Sequence, residues 1–211
     1  MKSVITIIGS IFNNEIMVAF LVCILKVNLQ KIYTMKTLVL IRHGKSSWKD
    51  KELKDLERPL KKRGLSDASL ISKVLKDIQI TPEQIITSPA ARALETAKVI
   101  ASEYNIDTTQ IVTESGLYLE SKGKLMKEIN KINEQFNTVF LISHNPGLTD
   151  LANALTGESV KNIPTCGALA IQFESGTWAE VDKGKGKKLF FEVPKTHRKK
   201  FEKNEKPVLQ S

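Results

Sequence analysis

Two of the three histidines of this 211-residue chain, and two of its arginines, stand just past apolar runs. Arg42, His43 and Gly44 follow residues 37–41. Ser88 and Arg92 follow residues 84–87. His144, Asn145 and Pro146 follow residues 138–143. A neutral imidazole is a nucleophile near neutral pH. A phosphoryl group in transfer spreads negative charge over its equatorial oxygens, so its catalysis is largely positioning and electrostatic stabilisation. Arginine offers a rigid fork of donors that matches phosphate. One histidine as nucleophile, with the second histidine and both arginines as a clamp, would form a phosphoryl-transfer site without a metal. On these residues alone, either histidine qualifies as the nucleophile. Each residue taken singly has an ordinary explanation as a turn or surface residue. Their recurrence behind three separate apolar runs carries the argument.

The elements that must position these groups are legible in the pattern. Residues 37–42, 84–88, 138–143, 168–174 and 188–193 read as strands, the last two as an antiparallel edge. Residues 66–78, 89–104, 123–136 and 147–157 carry apolar positions at helical spacing, with Pro89 in a first turn and Gly157 at an end. The helix from Pro89 would lend the partial positive charge of its N-terminus to the site. Residues 43–62 are polar and lysine-rich and read as a loop. Strands alternating with helices predict an α/β fold, a three-layer α/β/α sandwich on a mostly parallel sheet. Such sheets bind ligands beyond the carboxyl ends of their strands, which is where the four cationic residues fall.

Composition says little about the partner. The formal charge of +9 resides at the ends, with +7 in residues 183–206 and +2 in residues 1–34, so residues 35–182 are neutral. The basic run at 197–206 contains one aromatic, Phe201, not the interleaved set that single-stranded nucleic acid binding would show. It reads as a solvated tail, and no nucleic-acid contact is expected. Cys23 and Cys166 form no disulfide framework and no zinc pattern, which suits a reducing, cytoplasmic setting. The expected organisation is an N-terminal apolar extension (1–34), a catalytic domain (35–194) and a basic tail (195–211). In the extension, the ten-residue apolar run 16–25 is too short to span a bilayer. Membrane contact there is the alternative to a translation start at Met35.

The motifs Arg42-His43-Gly44, Ser88-Pro89-x-x-Arg92-Ala93-x-x-Thr96-Ala97 and Ser143-His144-Asn145-Pro146 resemble those of the histidine phosphatase superfamily, which has the phosphoglycerate-mutase-like fold. The stretches RPLKKRG (58–64), GLYLES (116–121), HNPGLTDLANALTG (144–157) and IPTCGALAIQF (163–173) are similar to the SixA-type phosphohistidine phosphatases. The resemblance implies that His43 attacks phosphorus and becomes phosphohistidine. It implies that Arg42, Arg92 and His144 hold the phosphoryl oxygens, and that no cofactor or metal takes part. Ser46 and Ser88 would add hydrogen bonds to the phosphate. Glu114 and Glu120 lie where larger members of the superfamily place a proton donor. The substrate would be phosphohistidine in a protein, or else a small phosphoester. The intervals Gly44 to Gly64 and Ala97 to His144 are too short for the lids of a mutase. A mutase-like enzyme, or a non-catalytic protein binding through its tail, are the remaining readings. Oligomeric state is not written in any residue.

Overall fold

The structure, a computed structural model, describes residues 35–198 together with Ala19. The chain divides into two compact units, Met1–Thr34 and Met35–Ser211. The expectations for residues 1–34, and for the tail beyond 198, lie outside the described residues. Among the described residues no helix is long and apolar enough to cross a membrane.

Six strands form one sheet: β1 (Lys36–Arg42), β2 (Gln84–Thr87), β3 (Ile111–Thr113), β4 (Thr138–Ser143), β5 (Ala168–Phe173) and β6 (Gly186–Glu192). Their order is β3-β2-β4-β1-β5-β6. The first four positions run parallel, and β5 and β6 add an antiparallel edge. Among the described residues four helices cover the sheet: α1 (Lys62–Asp77), α2 (Ala91–Glu103), α3 (Lys122–Ile129) and α4 (Gly147–Thr156). The three-layer α/β/α sandwich expected from the sequence is therefore present.

The layers follow from alternation along the central strands. In β1, Val39 and Ile41 pack with Ile71, Ala93 and Ile100 of α1 and α2. Leu38 and Leu40 pack on the opposite face with Leu125, Leu148 and Leu151 of α3 and α4. Both faces are dry, so β1 reads as a continuous apolar run rather than an alternating one. Its first residue, Lys36, is only 1% exposed. Its ammonium donates to the carbonyls of Glu134 and Phe136 and to Asn137 Oδ1, and it lies 3.7 Å from the Glu134 carboxylate. All three ammonium donors are thereby matched, which is what makes a buried lysine tolerable.

Several boundaries differ from expectation for local reasons. The helix expected over 123–136 ends at Ile129. Beyond it, the Asn130 side chain donates to the carbonyls of Trp178 and Val181, while Ile132 stays buried in the core. The apolar period thus continues through a loop. The helix containing Arg92 begins at Ala91, leaving Pro89 outside it. Strand β3 escaped detection because it is three residues long, at an edge, with its last two residues exposed. α1 begins at Lys62, before Gly64, not after it. A Cβ on Gly64 would stand 2.5 Å from the Lys45 carbonyl oxygen, so that glycine serves a close backbone approach. The domain also extends past 194. Residues 194–198 are helical, and Arg198 Nη2 donates to Asp67 Oδ1 at 2.7 Å. Asp67 is buried in α1, so the start of the basic run is tied to the domain.

Gly147, the first residue of α4, sits against the loop at 120. A Cβ there would fall 1.9 Å from the Glu120 carbonyl oxygen, which only a backbone shift could relieve. Gly147→Ala is expected to lower the free energy of unfolding by about 1–3 kcal/mol, as overpacked sites do. Urea denaturation with an unchanged midpoint would contradict this packing.

Candidate active site

The carboxyl ends of β1, β2 and β4 lie side by side because their registers are locked. Arg42 pairs with Ser143, and Thr87 with Ile142. The ladder continues one step further, with His43 N–H donating to the Ser143 carbonyl at 3.2 Å. The chain then turns sharply. Gly44 N–H donates to Thr96 Oγ1 at 3.0 Å. A Cβ on Gly44 would meet the Gly64 carbonyl oxygen at 2.9 Å and Cys166 Sγ at 3.1 Å, so a larger residue would push His43 out of place. Cys166 is fully buried behind this turn, and burial pushes its thiol pKa well up.

The two histidine rings stand together, with centroids 4.9 Å apart. His43 Nδ1 lies 2.8 Å from the Gly44 carbonyl oxygen. A carbonyl only accepts, so Nδ1 carries the proton and the neutral ring keeps its lone pair on Nε2. His144 is almost fully buried. Its Nε2 shares a hydrogen bond of 2.8 Å with Ser88 Oγ, and the Tyr118 ring stands edge-on to it at 5.6 Å. His144 Nδ1 and Arg42 Nε are buried without a partner. Buried polar atoms in proteins are seldom left so, and these two belong to residues that the sequence pattern singled out.

Arg92, in the first turn of α2, is 3% exposed. Two of its donors are committed to one residue: Nη1 to the Asp55 carbonyl at 2.5 Å and Nη2 to Asp55 Oδ2 at 2.8 Å. Asp55 also accepts from Arg58 Nη1 at 2.6 Å and from the Tyr118 hydroxyl at 2.8 Å. Arg58 Nη2 in turn donates to Ser46 Oγ at 2.7 Å. Arg42 Nη1 donates to the Ile163 carbonyl at 3.0 Å. Arg42, His43, Arg58 and Arg92 line one cavity of about 210 Å³, with Lys45 and Trp48 at its edge.

The structure thus brings Arg42, His43, Arg92 and His144 together, with Ser46 and Ser88 bonded to site side chains. It does not bring in Glu114 or Glu120. Glu120 pairs with Lys124 at 2.8 Å. Glu114 lines a different cavity of about 280 Å³, beside Val112, Glu128 and Lys131. Sequence reasoning missed Arg58, Asp55 and Tyr118. Asp55 and Arg58 lie in the polar, lysine-rich segment 43–62, while Arg58 opens the RPLKKRG stretch and Tyr118 lies within GLYLES.

Charge sets the protonation states. Burial, followed by Arg92, Arg42 and Arg58, lowers the pKa of His43 to about 4, against the pull of its Gly44 bond. Burial, then His43, Arg92 and Arg42, lowers His144 to about 3, with Asp55 pulling the other way. Burial would raise Asp55, but the bonds from Tyr118, Arg92 and Arg58 and the Arg92 charge outweigh it, leaving a pKa of about 2. At neutral pH the site therefore holds two uncharged imidazoles, one carboxylate and three guanidinium groups. It is a net cationic pocket with a lone pair on His43. Among the described residues no group of three or more acidic, histidine or cysteine side chains is placed to hold a metal ion.

Residues 38–163, which include all four of the cationic residues first singled out, match the family model for the histidine phosphatase superfamily (branch 1). An uncharacterised protein of Mycobacterium leprae is 29% identical over 167 residues, covering 74% of this chain and all of that protein. Among solved structures, a putative phosphohistidine phosphatase SixA from Nakamurella multipartitia has a TM-score of 0.66 at 18% identity, covering 76% of this chain and 96% of that one. The protein histidine phosphatase SixA complexed with tungstate has a TM-score of 0.65 at 22% identity, covering 76% and 98%.

The lowered histidine pKa values fix the sign of a stability effect. Between pH 6.5 and about 4 for His43, and about 3 for His144, the unfolded chain binds protons that the folded one refuses. Stability is therefore complete above pH 6.5 and declines as pH falls through that window. Urea titrations from pH 7 to 4 should show this loss, and a His43→Asn/His144→Asn variant should show a shallower slope. An unchanged slope would mean that neither ring is held neutral.

Proposed function

The chain belongs to the histidine phosphatase superfamily, and on that premise we propose that it is a phosphatase that carries the phosphoryl group on His43 and takes it from phosphohistidine in a protein. The observation that carries this reading is the state of His43. Its Nδ1–H is held by the Gly44 carbonyl, so Nε2 is free to attack, and three arginines surround it.

In the first step Nε2 forms a bond to phosphorus as the substrate N–P bond breaks. The electron pair goes to the leaving imidazole nitrogen, which takes a proton from solvent at the open mouth. Arg42, Arg92 and the buried His144 stabilise the equatorial oxygens, and Arg58 adds a third guanidinium. In the second step water attacks phosphorus, the Nε2–P bond breaks, and orthophosphate departs as H2PO4−, carrying both protons of the water. Nε2 regains its lone pair. Asp55 is ionised at neutral pH, so it holds Arg92 and Arg58 in place and donates no proton. An imidazole leaves more readily than an alkoxide, which suits a site where Glu114 and Glu120 stand elsewhere.

Arginines supply the charge stabilisation here, so the activity is proposed to be independent of metal ions, and EDTA should leave turnover unchanged. Loss of activity that a divalent cation restores would overturn that point. The reducing character inferred from the cysteines supports a cytoplasmic setting. A small phosphoester is the second candidate substrate, since the same cavity would accept its phosphoryl group.

His43→Ala should abolish turnover of both a phosphorylated histidine phosphotransfer domain and an aryl phosphate. Rapid quench of the wild-type protein should trap an acid-labile, alkali-stable phosphate that mass spectrometry places on His43. Residual turnover, or label on His144, would refute the assignment. Fast turnover of the phosphotransfer domain with little aryl phosphate hydrolysis would favour the protein substrate. The reverse would keep the chemistry and move the substrate to small phosphoesters.

A further inference from the structure

The cavity that holds His43 measures about 210 Å³. Sites that enclose small-molecule ligands usually measure about 300–1,000 Å³. A phosphoryl group fits, but the rest of any substrate must lie outside, on the rim. Exposed apolar side chains stand on the segments that build the site. Trp48 is 70% exposed, and its ring lies 3.2 Å from the Arg58 guanidinium carbon. Leu56, which follows Asp55, is 41% exposed, and Leu119, which follows Tyr118, is 54% exposed.

These three stand on two loops that meet at the site. The Tyr118 hydroxyl donates to Asp55, Asp55 accepts from Arg58, and Arg58 carries Trp48 on its face. Of eight large apolar side chains exposed among the described residues, three are thus Trp48, stacked on Arg58 and lining the cavity, and the chain neighbours of Asp55 and Tyr118 in that network. Leu119 also holds φ at 52°, a left-handed conformation that a leucine adopts at a cost. Around them the charge is basic, with eight Lys or Arg against four Asp or Glu in residues 45–63.

We infer that Trp48, Leu56 and Leu119 form a docking rim that binds the protein surface around the substrate phosphohistidine, a surface with apolar side chains in an acidic setting. This rests on the phosphohistidine reading above and names the residues that would choose a protein over a small phosphate ester. Trp and Arg are the side chains in which protein interfaces concentrate their binding energy. A phosphorylated small metabolite offers no apolar surface to three separated side chains.

The test compares two N–P substrates that differ only beyond phosphorus: phosphoramidate and an isolated histidine phosphotransfer domain phosphorylated on its histidine. The variants are Leu56→Ser/Leu119→Asn, where asparagine suits the positive φ, and Trp48→Ala. The double variant should raise KM for the phosphorylated domain about tenfold, the size of effect that hot-spot truncation gives, and leave phosphoramidate kcat/KM within about twofold. Trp48→Ala should raise KM more for the domain than for phosphoramidate. Unchanged KM for the domain would overturn the rim, and so would equal losses on both substrates. If the wild-type protein hydrolyses phosphoramidate through His43 but not the phosphorylated domain, the protein-substrate reading fails and the rim fails with it. If the domain is hydrolysed but the variants match wild type, only the rim fails.

Discussion

The parallel pairing of β1 with β4 is the constraint on which the site rests. Arg42 stands opposite Ser143, so His43 and His144 emerge as neighbours one step later. A slip of one residue would turn every side chain of β1 to the other face of the sheet. It would put Leu38 and Leu40 against the wrong helices and carry His43 away from His144. The same apolar alternation that buries β1 on both faces therefore also sets the distance between the two imidazoles. The turn at Gly44 completes the placement, because Gly64 and Cys166 crowd the space that a side chain would need.

The second requirement is to keep positive groups close without letting them repel one another apart. Three guanidinium groups reach one small cavity, and two imidazoles stand beside them. The imidazoles avoid the repulsion by staying neutral, which burial enforces. Arg92 and Arg58 avoid it by sharing Asp55, whose carboxylate is 40% exposed and still ionised. Asp55 leaves the remaining donors of Arg92 free. An anion entering the cavity would meet a fixed array of donors rather than one that must reorganise, which is where such sites gain most.

Much of this was legible in the sequence where a residue type has a local reason to be where it is. The apolar runs before Arg42 and His144 predicted their strands. The rule that ligands gather at strand ends then predicted that Arg42, His43, Arg92 and His144 would meet. What escaped were contacts between segments with no period of their own. Asp55 lies in a three-residue turn of helix, and nothing near it in the chain announces that it will face Arg92, which is 37 residues away. The carboxylates at 114 and 120 were sought by analogy of position, and the fold sends one to Lys124 and the other to a separate cavity. The basic tail was read as solvated throughout, because the buried Asp67 that receives Arg198 comes from a distant helix.

Cys166 has one consequence for how such an enzyme would behave in a cell. Its sulfur is sealed behind the Gly44 turn, and burial keeps it as a thiol rather than a thiolate. Peroxides and alkylating agents act on accessible thiolates. A dephosphorylation reaction run by an imidazole nitrogen, with Cys166 sealed and protonated, would not be silenced by oxidation at that cysteine in the way that phosphatases built on a reactive cysteine are.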